Sequence, residues 1–444
     1  MDRILITLSR KRISQQNPIF IPYLPLFMKS FFLLVITLLP SLVTMAQTLD
    51  ELVLDPDYIK TVTINKPPEN MLPVFELGQT INITFDDVIG DEADYYYKLE
   101  HYNYDWTPSA LFQNEWMRGI DDVRIFDYRN SFTTIQSYSH YTLTIPNQFT
   151  QALLVSGNYM IHFYNSDQEL VFSRRFMIIE PQAQVGVEIK RARDLKYVNT
   201  QQRVQFFVDS QQVQFINPNT QLKVAIYQNA DLDSAIGMIK PQFNLGNKQV
   251  YRYDGLTSFW AGNEYLNFEN RDFRSPNLNI DYVTKGELYD AHLFIDGPRQ
   301  FQEYTYFPDI NGNFLVSTLT NEDPAVQSEY VNIHYKLSPE GLNIPSSAQV
   351  YVTGNYNAFQ LQEENQMTYN ANKGIYEATI LQKQGFYNYR YTVVDKNKVD
   401  HGRVSGNKWQ TENVYTVLAY YRELGGRYDR LIGMGSANSE NITN

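Results

Sequence analysis

The 444-residue sequence contains no cysteine. That absence excludes disulfides, a thiolate nucleophile, zinc fingers and a lipid-modified N-terminal cysteine. Charge is scarce at 19% of residues, and acids outnumber bases 49 to 37, a formal net charge of −12. A nucleic-acid partner needs clustered Lys and Arg, so this balance argues against one. The six histidines (101, 140, 162, 292, 334 and 401) include no pair at metal-ligand spacing, and HExxH is absent. A G-x-S-x-G elbow and a P-loop are also lacking. The acid pairs Asp86-Asp87 and Asp121-Asp122 sit beside turn residues, and glycosidase chemistry would require two carboxylates facing each other across a cleft. Asp309-Ile310-Asn311-Gly312-Asn313 imitates the opening of a calcium loop, but Phe314 stands where that loop needs glycine and its twelfth position lacks Glu. A hairpin turn at Asn311-Gly312 accounts for the same residues. The residues thus offer no recognisable catalytic constellation, and no cofactor or metal is expected.

At the N-terminus, Lys29-Ser30 precedes an apolar run from Phe31 to Leu39, and Thr44-Met45-Ala46 supplies small residues at the first and third positions. A basic residue, a short apolar core and a small-residue cleavage site predict a secretory signal peptide cut before Gln47. The run is short for a membrane-spanning helix. Residues 1–27, with Pro18, Pro22 and Pro25, sit awkwardly ahead of it, so Met28 is the expected start; the alternative is an unusually long signal. Removing residues 1–46 takes away five basic residues and one acid, leaving 32 bases, 48 acids and a net charge of −16. The expected mature protein is exported, acidic and held together by its cores alone.

Period-2 alternation dominates the rest of the chain. Ile81, Ile83 and Phe85 alternate with polar residues, as do Tyr141, Leu143 and Ile145; Val331, Ile333, Tyr335 and Leu337; and Tyr387, Tyr389, Tyr391 and Val393. Each set describes a strand with one buried and one wet face. Turn signals such as Ser156-Gly157-Asn158 and Asp296-Gly297-Pro298 separate them, and long helical periodicity is missing. An all-β architecture of tandem immunoglobulin-like β-sandwich domains is therefore expected. The expected units are 47–182, 183–324 (with the Asn-rich stretch from Asp231 to Tyr289 as large loops) and 325–432. The small, polar residues 433–444 are expected to form a flexible tail. His162 and His334 fall on the solvent parity of their strands and are read as surface residues. Half-buried strands absorb most of the 34 Tyr, although Tyr95-Tyr96-Tyr97 must send aromatics to both faces.

The densest segment, 95–145, runs from that strand through a long loop bearing Asn103, Asp105 and Trp106. It continues through Thr107-Pro108-Ser109 to Gln113, Asn114, Glu115 and Trp116, then to Tyr128 and the strand from Tyr141. A long loop rich in Trp, Asn and Asp suggests function, whereas the structural reading has Trp106 and Trp116 closing the end of a sandwich. The segments Tyr96-Tyr97-Lys98 (one position tighter than Y-Y-x-K), Asp105-Trp106, Gln113-Asn114-Glu115 and Asp127 to Thr134 are similar to the plug proteins of the type IX secretion system of Bacteroidetes. The likeness extends to Ser137–Tyr141, Tyr420-Tyr421-Arg422, Arg427-Tyr428-Asp429 and Leu431-Ile432-Gly433. It implies a monomeric, non-enzymatic periplasmic protein that binds the giant outer-membrane barrel translocon and seals its periplasmic opening at rest. The candidate partner interface is Tyr102, Asn103, Asp105, Trp106, Gln113, Asn114, Glu115, Trp116 and Tyr128. The stretch Val350 to Asn357, with Gly374-Ile375-Tyr376-Glu377 and Gly385 to Tyr389, resembles the early-set sandwich of starch- and glycogen-binding modules. Phe359 stands where those modules often carry Trp. A cell-envelope carbohydrate-binding or glycan-processing accessory protein is the alternative reading.

Overall fold

In the computed structural model, residues 52–64, 72–272, 274–319, 323–440 and 442 are described. The expected signal segment lies outside them. The alternating stretches become strands with the anticipated parity. Ile81, Ile83 and Phe85 are buried, and Val331, Ile333, Tyr335 and Leu337 are all sealed from solvent. The chain is an assembly of β-sandwiches, as its alternation required.

The first sandwich pairs two sheets. One runs in the order Ile59–Ile64, Ile81–Asp87, Ser139–Ile145, Tyr128–Asn130. The other runs Val74–Glu76, Leu170–Ile179, Gly157–Tyr164, Tyr96–Tyr102, Val123–Arg124. Phe85 sits at the centre of the core between them, with ring centroids at 5.2 Å from Tyr95, 5.0 Å from Tyr141, 5.4 Å from Phe163 and 5.1 Å from Phe172. Edge-to-face and stacked pairs of this kind add directional attraction to simple burial.

The middle sandwich joins strands Gln184–Arg191, Gln201–Asp209, Lys248–Tyr251 and Phe243–Leu245 to a second sheet ordered Asp231–Gly237, Leu222–Gln228, Val414–Tyr421, Arg430–Asn438. The third sandwich is built from one continuous sheet of ten strands lying between residues 266 and 400. Its strand Gln366–Asn370 turns a corner, pairing through Gln366 and Met367 with Gln349–Thr353 and through the rest with Ile375–Lys383. The third sandwich is thus inserted within the middle one.

This topology corrects the linear division into 183–324 and 325–432. Strand Val414–Tyr421, expected in the last unit, pairs with Leu222–Gln228, with Leu222 opposite Tyr421. Strand Leu266–Glu269, expected in the second unit, pairs with Gly385–Asp395. Alternation identifies a strand but not its partner. The supposed loops from Asp231 to Tyr289 contain six short strands among their described residues. The supposed tail is strand through Asn438. Its small residues serve close packing: a Cβ on Gly435 would meet Val185 O at 2.2 Å, and one on Gly433 would meet Ala183 O at 2.9 Å.

His162 also departs from expectation. It is 1% exposed, and its Nδ1 lies 2.8 Å from the Ser173 hydroxyl. Its strand is buried along both faces because the outer face of the first sandwich is covered in turn. Part of that cover is the middle sandwich: Met177, Ile179, Ala225, Tyr227, Leu418, Tyr420 and Leu431 form a shared apolar cluster. His334, by contrast, is half-exposed and 2.8 Å from Asp290.

The first and third sandwiches meet around Asp86, which occupies a solvent-parity position yet is fully buried. Its carboxylate accepts from Lys383 Nζ at 2.6 Å and Tyr330 Oη at 2.6 Å, with His140 Nδ1 at 2.6 Å on the other oxygen. Lys383 Nζ also lies 4.2 Å from the centre of the Tyr138 ring. Burial would raise the carboxyl pKa, but the Lys383 charge and the hydrogen bonds from His140 and Lys383 outweigh it and hold Asp86 below its ordinary value. Its contribution to stability is therefore complete above the unfolded carboxyl pKa and fades as pH falls through the lower folded value.

Two outcomes are expected in urea titrations. Phe85→Ala should destabilise the fold by about 3–5 kcal/mol. Lys383→Met should cost roughly 3–5 kcal/mol by stranding a buried carboxylate, whereas the pair Asp86→Leu with Lys383→Met should cost less than either single change.

Candidate functional site

The motif-bearing loop is built from its own side chains. Asn103 N donates to Thr107 O at 2.8 Å, and its side-chain amide donates to Thr107 Oγ1 at 3.1 Å and Pro108 O at 3.2 Å. Asp105 accepts from the Thr107 hydroxyl at 2.7 Å. This tight closure places Trp106 in the left-handed region at φ +59°. The Trp106 ring is half-buried, with the Arg175 guanidinium 5.4 Å from its centre, and it joins the apolar cluster between the first and middle sandwiches.

Beyond it, Gln113–Trp116 makes a single helical turn. Glu115 closes that turn by accepting from Phe112 N at 2.8 Å. Trp116 points inward, 5% exposed, with its ring 5.9 Å from Tyr159 and 6.4 Å from His101. Gln113 donates to Asp121 Oδ1 at 2.6 Å, and the other Asp121 oxygen accepts from Leu99 N at 2.8 Å, tying the turn to the sheet. Gly119, at φ +103°, has no room for a Cβ, which would fall 1.9 Å from Phe149 O.

The second motif segment comes from the opposite end of the chain and lands on the first. Asp429, fully buried, receives Arg422 as a fork at 2.8 and 2.9 Å and Lys223 at 3.1 Å. Arg422 also donates to Asn103 Oδ1 at 2.7 Å, and Tyr104 N donates to Asp429 at 3.3 Å. Arg427 pairs with Glu115 and donates to Ala110 O at 3.3 Å. Tyr420 Oη donates to Asn158 Oδ1 at 2.7 Å, whose amide reaches Asn103 O at 2.9 Å. Tyr428 packs edge-on against His101 at 5.5 Å. His101 is held neutral, its pKa pushed down to about 4 by burial.

The predicted interface residues therefore divide. Tyr102, Asn103 and Trp116 are buried scaffold; Trp106, Glu115 and Tyr128 are half-buried; Asp105, Gln113 and Asn114 face solvent. Tyr128 stacks on Tyr141 at 5.5 Å and donates to Glu92 at 3.0 Å, away from the paired motif segments. Sequence reasoning missed two exposed apolar tips beside this polar seam, Phe112 (73% exposed) and Leu424 (64%). The reciprocal signs of Glu115 and Arg427 were a signal, but 312 residues separate them.

The other flagged chemistry resolves simply. Among the described residues no three His, Asp or Glu are grouped to hold a metal ion. Asp309 is occupied by backbone N–H groups from Asn311 at 2.7 Å and Tyr265 at 2.5 Å. Asn311-Gly312 does turn, at φ +54° and +84°, but it makes no hairpin, because the following strand Phe314–Val316 pairs with Gly385–Asp395. Phe359, at the position of a sugar-stacking Trp, is 7% exposed and packs beside Arg390.

A family model described as "Type 9 secretion system plug protein 1st domain" matches residues 59–180, the span of the first sandwich. The chain belongs to the type IX secretion system plug family. A hypothetical protein from Parabacteroides merdae ATCC 43184, solved by crystallography, is 31% identical with a TM-score of 0.81. The match covers 87% of this chain and 98% of that one. The N-terminal region of an enterococcal surface protein (8% identity, TM-score 0.17, 88% and 96% covered) and Escherichia coli alpha-2-macroglobulin activated by porcine elastase (11%, 0.20, 86% and 34%) are too dissimilar to support any argument. None of the curated proteins compared with the chain matches it. Membership in the plug family gives the chain a role in type IX secretion and an association with that machinery in the cell envelope; it is not a known enzyme family. No helix among the described residues is long and apolar enough to cross a membrane.

The two ion pairs of the seam should respond differently. Arg427→Ala, at a half-exposed pair, should cost no more than about 1 kcal/mol. Arg422→Ala, which uncovers buried Asp429, should cost about 3 kcal/mol. Urea melts of the two variants compare them directly.

Proposed function

We propose that this plug-family chain binds the outer-membrane translocon barrel of the type IX system from the periplasm and seals its periplasmic opening between export events. The observation supporting the reading is the meeting of the two family-like segments, 103–116 and 420–433, in one seam. Buried groups there lock the scaffold, while Asp105, Gln113, Asn114, Phe112 and Leu424 are left to solvent. Apolar tips set in a polar rim are the composition of a recognition surface.

Rigidity favours the same reading. A seal must resist deformation, and the three sandwiches are joined by buried polar contacts and a shared apolar cluster. The contact face is accordingly narrower than the segment from Tyr102 to Tyr128. It comprises the exposed turn around Phe112–Asn114 and the hairpin tip at Leu424.

Outer-membrane complexes isolated in mild detergent should contain this chain together with a very large barrel. Phe112→Asp with Leu424→Asp should abolish that co-purification while leaving the melting temperature unchanged, and Leu195→Asp, at another highly exposed position, should not. Loss of the gene should raise permeability to large antibiotics. Retained co-purification of the double variant would overturn the proposed face, and permeability unchanged by the deletion would overturn the seal.

A further inference from the structure

The middle sandwich of this acidic chain ends in a basic tip. Acids outnumber bases 49 to 37 over the whole sequence, yet the stretch from Glu188 to Arg203 holds five bases and two acids. It runs out along Gln184–Arg191, turns, and returns along Gln201–Asp209. Ala192 N donates to Gln201 O at 3.2 Å, and Asp194 Oδ1 accepts from Lys196 N at 2.9 Å. This side-chain turn uses the acid of the tip as a backbone brace. It also leaves Leu195 90% exposed at the apex, with exposed Arg193 and Lys196 close on either side.

Other segments converge on the same end. Tyr197 meets the exposed Trp260 edge-on, with ring centres 5.6 Å apart. Arg191 lies 4.3 Å from the centre of the Trp409 ring, and Trp409 N donates to Asn199 O at 3.1 Å. Lys408 donates to Gln300 O at 3.3 Å and Gln302 O at 2.6 Å, and Phe301 between them is 78% exposed. Arg193 reaches Asp254 at 3.4 Å, two residues from Leu256, which is 62% exposed. Leu195, Leu256, Trp260 and Phe301 thus come from separate segments to one end, interleaved with bases. Single exposed apolar residues are ordinary, but a group of them rimmed by charge marks an interaction surface.

The charge of this end is available to an outside anion. Asp194 braces the turn, and Asp254 is held by Arg193 and by buried Arg203. Among the described residues, Arg191, Lys196 and Lys408 have no carboxylate within ion-pair distance.

Shape and composition then select the partner. A site for a peptide or small molecule is concave, whereas this end is convex with Leu195 at its apex. A convex apolar tip suits a medium that closes around it. In a bilayer, Leu and Phe enter the acyl boundary, Trp and Tyr settle at headgroup depth, and Lys and Arg reach the phosphates.

We infer that this end of the middle sandwich docks on an anionic phospholipid bilayer surface, with Leu195 and Phe301 entering the interface. The contact is separate from the seam. Tyr415 Oη reaches Gln202 at 2.7 Å near the start of Val414–Tyr421, whereas the end of that strand leads into Arg422 and the Leu424 tip. The two surfaces therefore occupy opposite ends of the middle sandwich and can be mutated independently.

The test is co-sedimentation of the purified chain with vesicles of equal parts phosphatidylglycerol and phosphatidylcholine, and with vesicles of phosphatidylcholine alone. The chain should sediment with the mixed vesicles and not with the neutral ones, and binding should fall as salt rises. Arg193→Gln and Lys196→Gln should each weaken binding about fivefold, the contribution of one base near an anionic surface. Leu195→Asp should weaken it about tenfold or more, the loss of one buried leucine. These three positions are exposed, so the melting temperature should not change. Tryptophan emission should shift to shorter wavelength on the mixed vesicles, and Trp260→Phe should reduce that shift. Equal sedimentation with both vesicles, sedimentation with neither, or unaltered binding in all three variants would overturn the assignment. Capture on polyglutamate beads without binding to mixed vesicles would mark an acidic protein partner instead and would also overturn it.

Discussion

The contact between Asp86 and Lys383 is the constraint on which the arrangement depends. It joins strands 297 residues apart and seals two full charges from water. Such a pair is tolerable only when every remaining lone pair and proton is used. His140 and Tyr330 use those of the carboxylate, while Ala325 O and the Tyr138 ring receive the ammonium. A sliding of one sandwich over the other would break all of these contacts at once. Apolar surfaces alone tolerate small slips, whereas this cluster specifies one register between the first and third units.

The same logic recurs around Asp429. Here the buried carboxylate collects Arg422 and Lys223, and through Arg422 it holds Asn103 in the motif-bearing loop. The motif-bearing loop, whose Asp105, Gln113 and Asn114 face solvent, is thus fastened from beneath by residues of a different sandwich. Long loops on a β-scaffold are normally its most mobile parts; this one is tied at Asn103, Glu115 and Asp121.

Strands and their inward faces were legible in the sequence because period 2 is a local property: Val331 to Leu337 and Tyr387 to Val393 bury the predicted residues. Pairing partners were not, because Leu222 and Tyr421 carry no mutual mark. Parity also misled at Asp86 and His162, whose outward faces are covered by other chain segments and become interior. The candidate interface was legible as a segment but not as a surface. Trp116 looked like an anchor and is core, while Phe112 looked unremarkable and is exposed. The tail was misread because glycines at 433 and 435, chosen for close approach, have the composition of a frayed end.

Insertion of the third sandwich into the middle one sets the order in which the chain can be completed. Residues 184–260 lay down part of the middle unit, but the strand between Leu222–Gln228 and Arg430–Asn438 arrives only after the whole inserted unit has been made. Until Val414–Tyr421 docks, one edge of Leu222–Gln228 remains an open template and the apolar patch around Ala225 and Tyr227 lacks Leu418 and Tyr420. The closing strand then completes the middle sheet and, through Tyr420 and Arg422, engages the first sandwich in the same step. Completion of the middle sheet thus draws on a strand that lies in sequence beyond the whole inserted unit.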